Sequence, residues 1–82
     1  MKLSYDAQHN VAYIRLREKS GDLETLRISD ELLLDVGPDG TVFGIELLNA
    51  REQLQAADQG QLIVVDDASG KQQSITLPSA AE

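Results

Sequence analysis

The sequence predicts a mainly β fold (α+β if its helix packs across the sheet): an antiparallel β-meander of about five strands, one short helix at about 50–58, and a C-terminal β-hairpin. Three observations carry this reading. Short segments alternate apolar and polar residues with the period of two of half-buried strands. Two apolar runs, residues 32–36 and 42–48, flank a Gly37-Pro38-Asp39-Gly40 turn. At Asn49 the alternation stops, and apolar residues recur at helical spacing instead.

Residues 2–6 put Leu3 and Tyr5 on one face and Lys2, Ser4 and Asp6 on the other. A polar connection over 7–10 leads to a second strand at 11–18, where Ala12, Ile14 and Leu16 oppose Tyr13, Arg15 and Arg17. The place of Tyr13 on the polar face suits a phenol lying over a long Arg side chain. Lys19-Ser20-Gly21-Asp22 reads as a turn. A third strand at 23–29 points Leu26 and Ile28 inward and Thr25 and Arg27 outward, until Asp30-Glu31 interrupts it.

In the central hairpin, Leu32, Leu34 and Val36 share one face of the first arm, with Asp35 outward. Phe43, Ile45 and Leu47 share a face of the second, with Glu46 outward. Both sets reach one core only if facing residue numbers sum to an odd value, which a two-residue Asp39-Gly40 loop pairing Val36 with Phe43 provides. Pro38 equally suits a type I turn with a bulge at Gly40, which shifts the register by one. Leu33, Val42 and Leu48 make the second face apolar enough for either register. Arms that are apolar on both faces belong in the middle of a sheet.

Asn49 is a good N-cap, and Glu52 stands three positions on in the capping-box arrangement. Ala50, Leu54 and Ala57 follow at helical spacing, and Gly60 sits where a C′ glycine belongs. Apolar residues 62–65, a turn cluster at 66–71 and the alternating residues 73–77 form a second hairpin, ended by Pro78; residues 79–82 are expected to fray. With no repeat and no long linker, the reading is a single domain over 1–82, with a core at 3–50 and an additional hairpin at 61–77.

A chain of 82 residues buries only about 60–65% of the surface its unfolded form exposes, so association through a leftover apolar face is expected. A hydrophobic fraction of 41% with 26% charged residues places it among globular chains. It has no cysteine, which removes disulfides and thiolate metal sites. Its first residues carry no apolar signal core and no run approaches about 18 apolar residues, so the expected location is the cytoplasm, with no membrane partner. Seven Lys/Arg face fourteen Asp/Glu, a net charge of −7 that repels nucleic-acid phosphate, so no nucleic-acid partner is expected. Arg15, Arg17 and Lys19 alternate on one side of a strand with Arg27 nearby, and the reading is a solvated face.

The central stretch also resembles a cation loop. Asp35, Gly37, Asp39, Gly40 and Glu46 fall at positions 1, 3, 5, 6 and 12 of the calcium-loop pattern D-x-[DN]-x-[DN]-G-x5-E. Gly37 has replaced a ligand, and the flanks are strand sequences where that loop needs helices. The preferred reading is a β-turn with acidic shoulders; Asp35, Asp39 and Glu46 stay as weak metal candidates. The Asp66-Asp67 pair points to opposite faces of a strand. His9 is the only histidine and cannot build a zinc site without Cys or a second His. Ser69-Gly70-Lys71 lacks the frame of a phosphate loop. No constellation supports catalysis, so the chain reads as a non-enzyme with no catalytic residue and no cofactor.

Ser4-Tyr5-Asp6, Ala12-Tyr13-Ile14-Arg15-Leu16, Leu34-Asp35 with Asp39-Gly40, and Gly44-Ile45-Glu46 followed by Leu48-Asn49-Ala50 together resemble the small prokaryotic DUF2283 family over about residues 3–50. Gly37 stands where members often have Asp, and residues 61–77 lie beyond the resembling part. The resemblance implies a compact β-rich domain with no established activity and no catalytic residues to carry over. It also implies a candidate antitoxin role, since some members look as though they are encoded beside small toxin-like proteins. The expected function is a small acidic protein-interaction module that self-associates or partners a basic protein such as a toxin. The alternative is weak divalent-cation or small-ligand binding at the Asp35 to Glu46 hairpin.

Overall fold

The computed structural model describes residues 1–55 and 58–77. The chain divides into two compact units, Met1–Ala50 and Arg51–Glu82. The first is one antiparallel sheet of β1 (Lys2–Asp6), β2 (Val11–Arg15), β3 (Glu24–Ser29), β4 (Leu32–Val36) and β5 (Val42–Leu48). The mainly β class, the short helix and the C-terminal hairpin are all present as read from the sequence.

The spatial order is β1-β2-β5-β4-β3. The meander therefore comes in two pieces, the β1–β2 hairpin and the β3-β4-β5 run, and β5 closes onto β2. The connection after β2 carries the chain to the far edge, because β5 occupies the place beside β2 that a simple meander gives to β3. β4 and β5 lie inside the sheet, where their two-sided apolar pattern belongs.

Both registers considered for the central hairpin occur. Gly40 N–H donates to the Gly37 carbonyl at 3.0 Å and Gly37 N–H to the Thr41 carbonyl at 2.8 Å, while Gly40 takes φ 87°. This is a type I corner at Pro38-Asp39 followed by a left-handed glycine. Val36 consequently faces Val42, but after a register shift Asp35 faces Gly44, Leu34 faces Ile45 and Leu32 faces Leu47. Phe43 is the extra residue that absorbs the shift. Its carbonyl accepts the N–H groups of Leu16 (2.9 Å) and Arg17 (3.3 Å), where β2 ends.

One face collects the apolar rows. Leu3 faces Ile14, Ile14 faces Ile45, Ile45 faces Leu34 and Leu34 faces Leu26; beside that row Tyr5, Ala12, Leu47 and Leu32 run parallel. Ala12 is fully buried, and the larger side chains of β2, β4 and β5 on this face are half-buried. Leu26 and Ile28, expected inward, stay exposed. They lie on an edge strand, and a register shift between Arg27 and Ser29 takes Ile28 out of the pairing.

The helix α1 (Ala50–Gln55) is shorter than the expected 50–58. Residues 56 and 57 lie outside the described part, and with them Ala57 of the expected helix face; Pro78 and residues 79–82 do too. Asp58, Gln59 and Gly60 take φ of 53°, 57° and 74°, a left-handed run that a right-handed helix cannot enter. Asn49 has φ 51°, not the extended conformation of an N-cap, and the Ala50 N–H donates to the Asn10 carbonyl at 3.0 Å. The helix start is thus tied to the β1–β2 turn.

A 3-10 turn, Asp58–Gly60, precedes β6 (Gln61–Val65) and β7 (Gln72–Thr76), which form a two-stranded antiparallel sheet. Asp66 closes their turn: its side chain accepts the Ala68 N–H and the Ser69 hydroxyl, both at 3.0 Å, and its own N–H donates to the Lys71 carbonyl at 2.8 Å. Among the described residues, no helix is long and apolar enough to cross a membrane.

Candidate functional site

The second face of the five-stranded sheet gathers polar groups from adjacent strands. The register sets Tyr13 opposite Glu46, sets Arg15 and Asp35 on either side of Gly44, and sets Thr25 opposite Asp35. Gly44 has no side chain, so Tyr13 reaches diagonally across β5 and donates its hydroxyl to Asp35 Oδ2 at 2.7 Å. A Cβ on Gly44 would overlap the Tyr13 hydroxyl and Cζ. Thr25 donates its hydroxyl to Asp35 Oδ1 at 2.8 Å. Lys19 Nζ lies 3.6 Å from Asp35 Oδ2 and 5.0 Å from the centre of the Tyr13 ring. The cation over the phenol is therefore Lys19, where the sequence suggested an Arg. The Asp35 side chain is only 14% exposed, although its strand position predicted an outward carboxylate.

Burial, then the hydrogen bond to Asp35 and the charges of Asp35 and Glu46, push the Tyr13 hydroxyl up to about 12. The Tyr13 hydrogen bond holds Asp35 below the usual carboxylate range; burial opposes this, and Thr25 and Lys19 support it. Tyr13 keeps its proton and Asp35 resists taking one. A phenolate nucleophile or a carboxylate base needs the opposite tuning. The group braces β2, β5, β4 and β3 against one another.

These directions fix a pH profile. Asp6, Asp35, Asp39 and Asp66 are all held below their ordinary value, chiefly by hydrogen bonds from His9, Tyr13, Thr41 and Ser69 respectively. In acid the unfolded chain takes up protons first, so their stabilisation, complete above the unfolded value near 4, is lost as pH falls through the lower folded values. For Tyr13 the order reverses: its stabilisation is complete below the unfolded value near 10 and is lost as pH rises towards about 12. Urea midpoints followed by circular dichroism across pH are expected to fall on both sides, with Tyr13→Phe flattening the alkaline side and, since Asp35 loses its main hydrogen bond, lessening the acid side as well. An unchanged alkaline fall in that variant contradicts the assignment.

The three cation candidates are not brought together. Asp35 is engaged as described, Asp39 accepts the Thr41 N–H at 3.0 Å inside its own turn, and Glu46 lies between Tyr13 and Leu33. Among the described residues, no three His, Cys, Asp or Glu side chains are grouped to hold a metal ion. His9 Nδ1 sits 2.7 Å from Asp6 Oδ2, in a turn where Asp6 also accepts the Gln8 N–H. The basic stripe is dispersed: Arg15 pairs with Glu18 at 2.9 Å and Arg27 with Asp30 at 3.2 Å, and β2 ends before Arg17 and Lys19. An open concavity lined by Val64, Asp66, Lys71, Gln72 and Gln73 lies on the second unit and shares no residue with the Tyr13–Asp35 group.

The second unit presents a surface of another kind. In β6 and β7, Leu62 faces Ile75, Ile63 faces Ser74 and Val64 faces Gln73. Leu62, Ile63, Val64, Val65 and Ile75 are between 38% and 50% exposed. Neither strand carries a charge, a proline or a register shift. The edges of the larger sheet are protected by such devices: β1 carries Lys2 and Asp6, and β3 carries Glu24, Arg27 and its bulge.

The DUF2283 family model, described as a protein of unknown function, matches residues 2–51. No curated protein and no solved structure matches the chain. The match spans β1 to β5, including Tyr13, Asp35 and Gly44, and stops before β6 and β7. The resembling motifs thus coincide with the brace: Tyr13 of the second strand, Asp35 of the fourth and Gly44 of the fifth are parts of one arrangement. With more than half of its length matched, the chain belongs to the DUF2283 family.

Proposed function

We propose that this chain is a small acidic protein-interaction module whose contact element is the β6–β7 hairpin. One observation carries the reading: an uncharged two-stranded sheet with apolar side chains on both faces and, among the described residues, no strand paired to either edge. A lone hairpin is at best marginally stable in water, and an unprotected edge is a template for another strand. Main-chain hydrogen bonding at such an edge, with alternate side chains supplying selectivity, is a common mode of peptide and protein recognition. The net charge of −7 outside these strands keeps the free chain soluble and disfavours nucleic acid.

The test compares the full chain with a Leu62→Lys/Ile75→Lys variant, which charges one face of the hairpin. Light scattering after size exclusion is expected to show the wild type self-associating, or bound in fixed stoichiometry to a purified partner, and the variant losing that association. A wild type that stays monomeric at every concentration and holds no partner in fixed stoichiometry overturns the reading.

A further inference from the structure

We infer that the occupant of this hairpin edge is a second copy of the same chain, its β6 strand paired antiparallel to β6 about a two-fold axis at Ile63. The inference rests on the interaction-module reading and adds the partner, the strand and the register.

The hydrogen bonds within the hairpin decide which groups are free to pair. Asp66 N–H donates to Lys71, and Leu77 N–H to Gly60. These pairs and the strand register belong to one ladder, in which directly opposed residues alternate between hydrogen-bonded and non-hydrogen-bonded pairs. Gly60, Leu62, Val64 and Asp66 therefore turn their main-chain groups towards β7. Gln61, Ile63 and Val65 turn theirs to the open edge.

In an isologous contact between two identical antiparallel strands, the position of the axis decides how many outward-facing groups meet each other. Centred on Ile63, the pairing matches Ile63 with Ile63 of the second copy and Gln61 with Val65 in both directions. Every outward group is then used, in roughly six hydrogen bonds. An axis at Gln61 or Val65 leaves most of them unpaired, and an axis at Leu62 or Val64 matches only Gln61 with Ile63 or Ile63 with Val65, in about four hydrogen bonds.

Charge favours the same occupant. A basic partner finds no carboxylate on β6 or β7 to pair with, while a second copy meets no like charge there, although the chain as a whole carries −7. The paired strands bring Leu62 of each copy opposite Val64 of the other, on the face that also holds Ile75. The exposed apolar surface is a few hundred Å² per copy, below what a permanent dimer buries. The association is therefore a reversible, concentration-dependent equilibrium.

Proline tests the edge without breaking the hairpin. The Ile63 N–H points away from β7, so Ile63→Pro removes no β6–β7 hydrogen bond and blocks only the open edge. Ser74→Pro does the same on the outer edge of β7. Sedimentation equilibrium is expected to show the dimer dissociation constant raised at least tenfold in Ile63→Pro and changed less than threefold in Ser74→Pro. Because the chain has no cysteine, Ile63→Cys provides a second test on the folded chain. Mild oxidation is expected to convert it to a disulfide-linked dimer, since directly opposed Cα atoms at about 5.5 Å suit the bond, while Ser74→Cys stays largely monomeric.

Cross-linking through Ser74→Cys in place of Ile63→Cys, or a dimer indifferent to Ile63→Pro, overturns the inference and leaves the module reading standing. A wild type that is monomeric at all concentrations also overturns it. The module reading then survives only if a different partner is bound in fixed stoichiometry and lost in Leu62→Lys/Ile75→Lys.

Discussion

Gly44→Ala is expected to destabilise the fold by about 2–4 kcal/mol. Two effects add: overpacking costs about 1–3 kcal/mol, and displacing the Tyr13 hydroxyl from a charged acceptor costs about 1.5–3 kcal/mol. The gain of alanine over glycine in a strand, about 0.5–1 kcal/mol, offsets a part. For a domain of this size, the melting temperature is expected to fall by roughly 10–25 °C. The decisive measurement is a double-mutant cycle with Tyr13→Ala. Once the ring is gone, the three atoms nearest the new methyl group are gone with it, and Gly44→Ala is expected to become neutral or stabilising. Additive losses in the cycle sink the explanation.

The second large effect is at Asp35. Asp35→Ala removes the acceptor of Tyr13 and Thr25 and the counter-charge of Lys19 in one step. Leaving the part-buried Tyr13 hydroxyl unmatched, with the exposed Thr25 hydroxyl turned to water, is expected to cost about 1–3 kcal/mol in urea unfolding. Asp35→Asn keeps an acceptor for Tyr13 and is expected to lose less than half as much. The Tyr13 hydroxyl, followed by ultraviolet titration in a Tyr5→Phe background, is expected to move down from about 12 in Asp35→Ala. It should stop short of the ordinary value, because burial is the larger cause of its elevation. An Asp35→Ala chain within about 0.5 kcal/mol of wild type contradicts the brace.

The strands were legible because their alternation is local. Each strand, the central hairpin turn and the second hairpin can be read from a few neighbouring residues. The strand order was not, since placing β5 beside β2 depends on pairings such as Val11 with Leu48, far apart in the sequence. The short helix is legible, but not that it stops before Asp58: Gly60 signals an end, and nothing announces that Asp58 and Gln59 are already left-handed. Asp35 was read as an outward acid because periodicity gives the face of a residue and says nothing of a tyrosine leaning across from the second strand away. One signal was available: a glycine in the middle of an apolar central strand marks a close approach, and Gly44 is that residue. The acids that look like ligands in the sequence have local uses, with Asp6, Asp39 and Asp66 each closing its own turn.

The split order of the sheet also bears on how the chain finds its fold. Pairings β1–β2, β3–β4 and β4–β5 join neighbours in sequence, so each closes a short loop. Only the β2–β5 seam joins distant segments of this unit, and loop-closure entropy is concentrated there. Tyr13 and Asp35 come from opposite sides of that seam and meet over Gly44. Their hydrogen bond thus fastens together two pieces whose own pairings are local, across the one seam that is not.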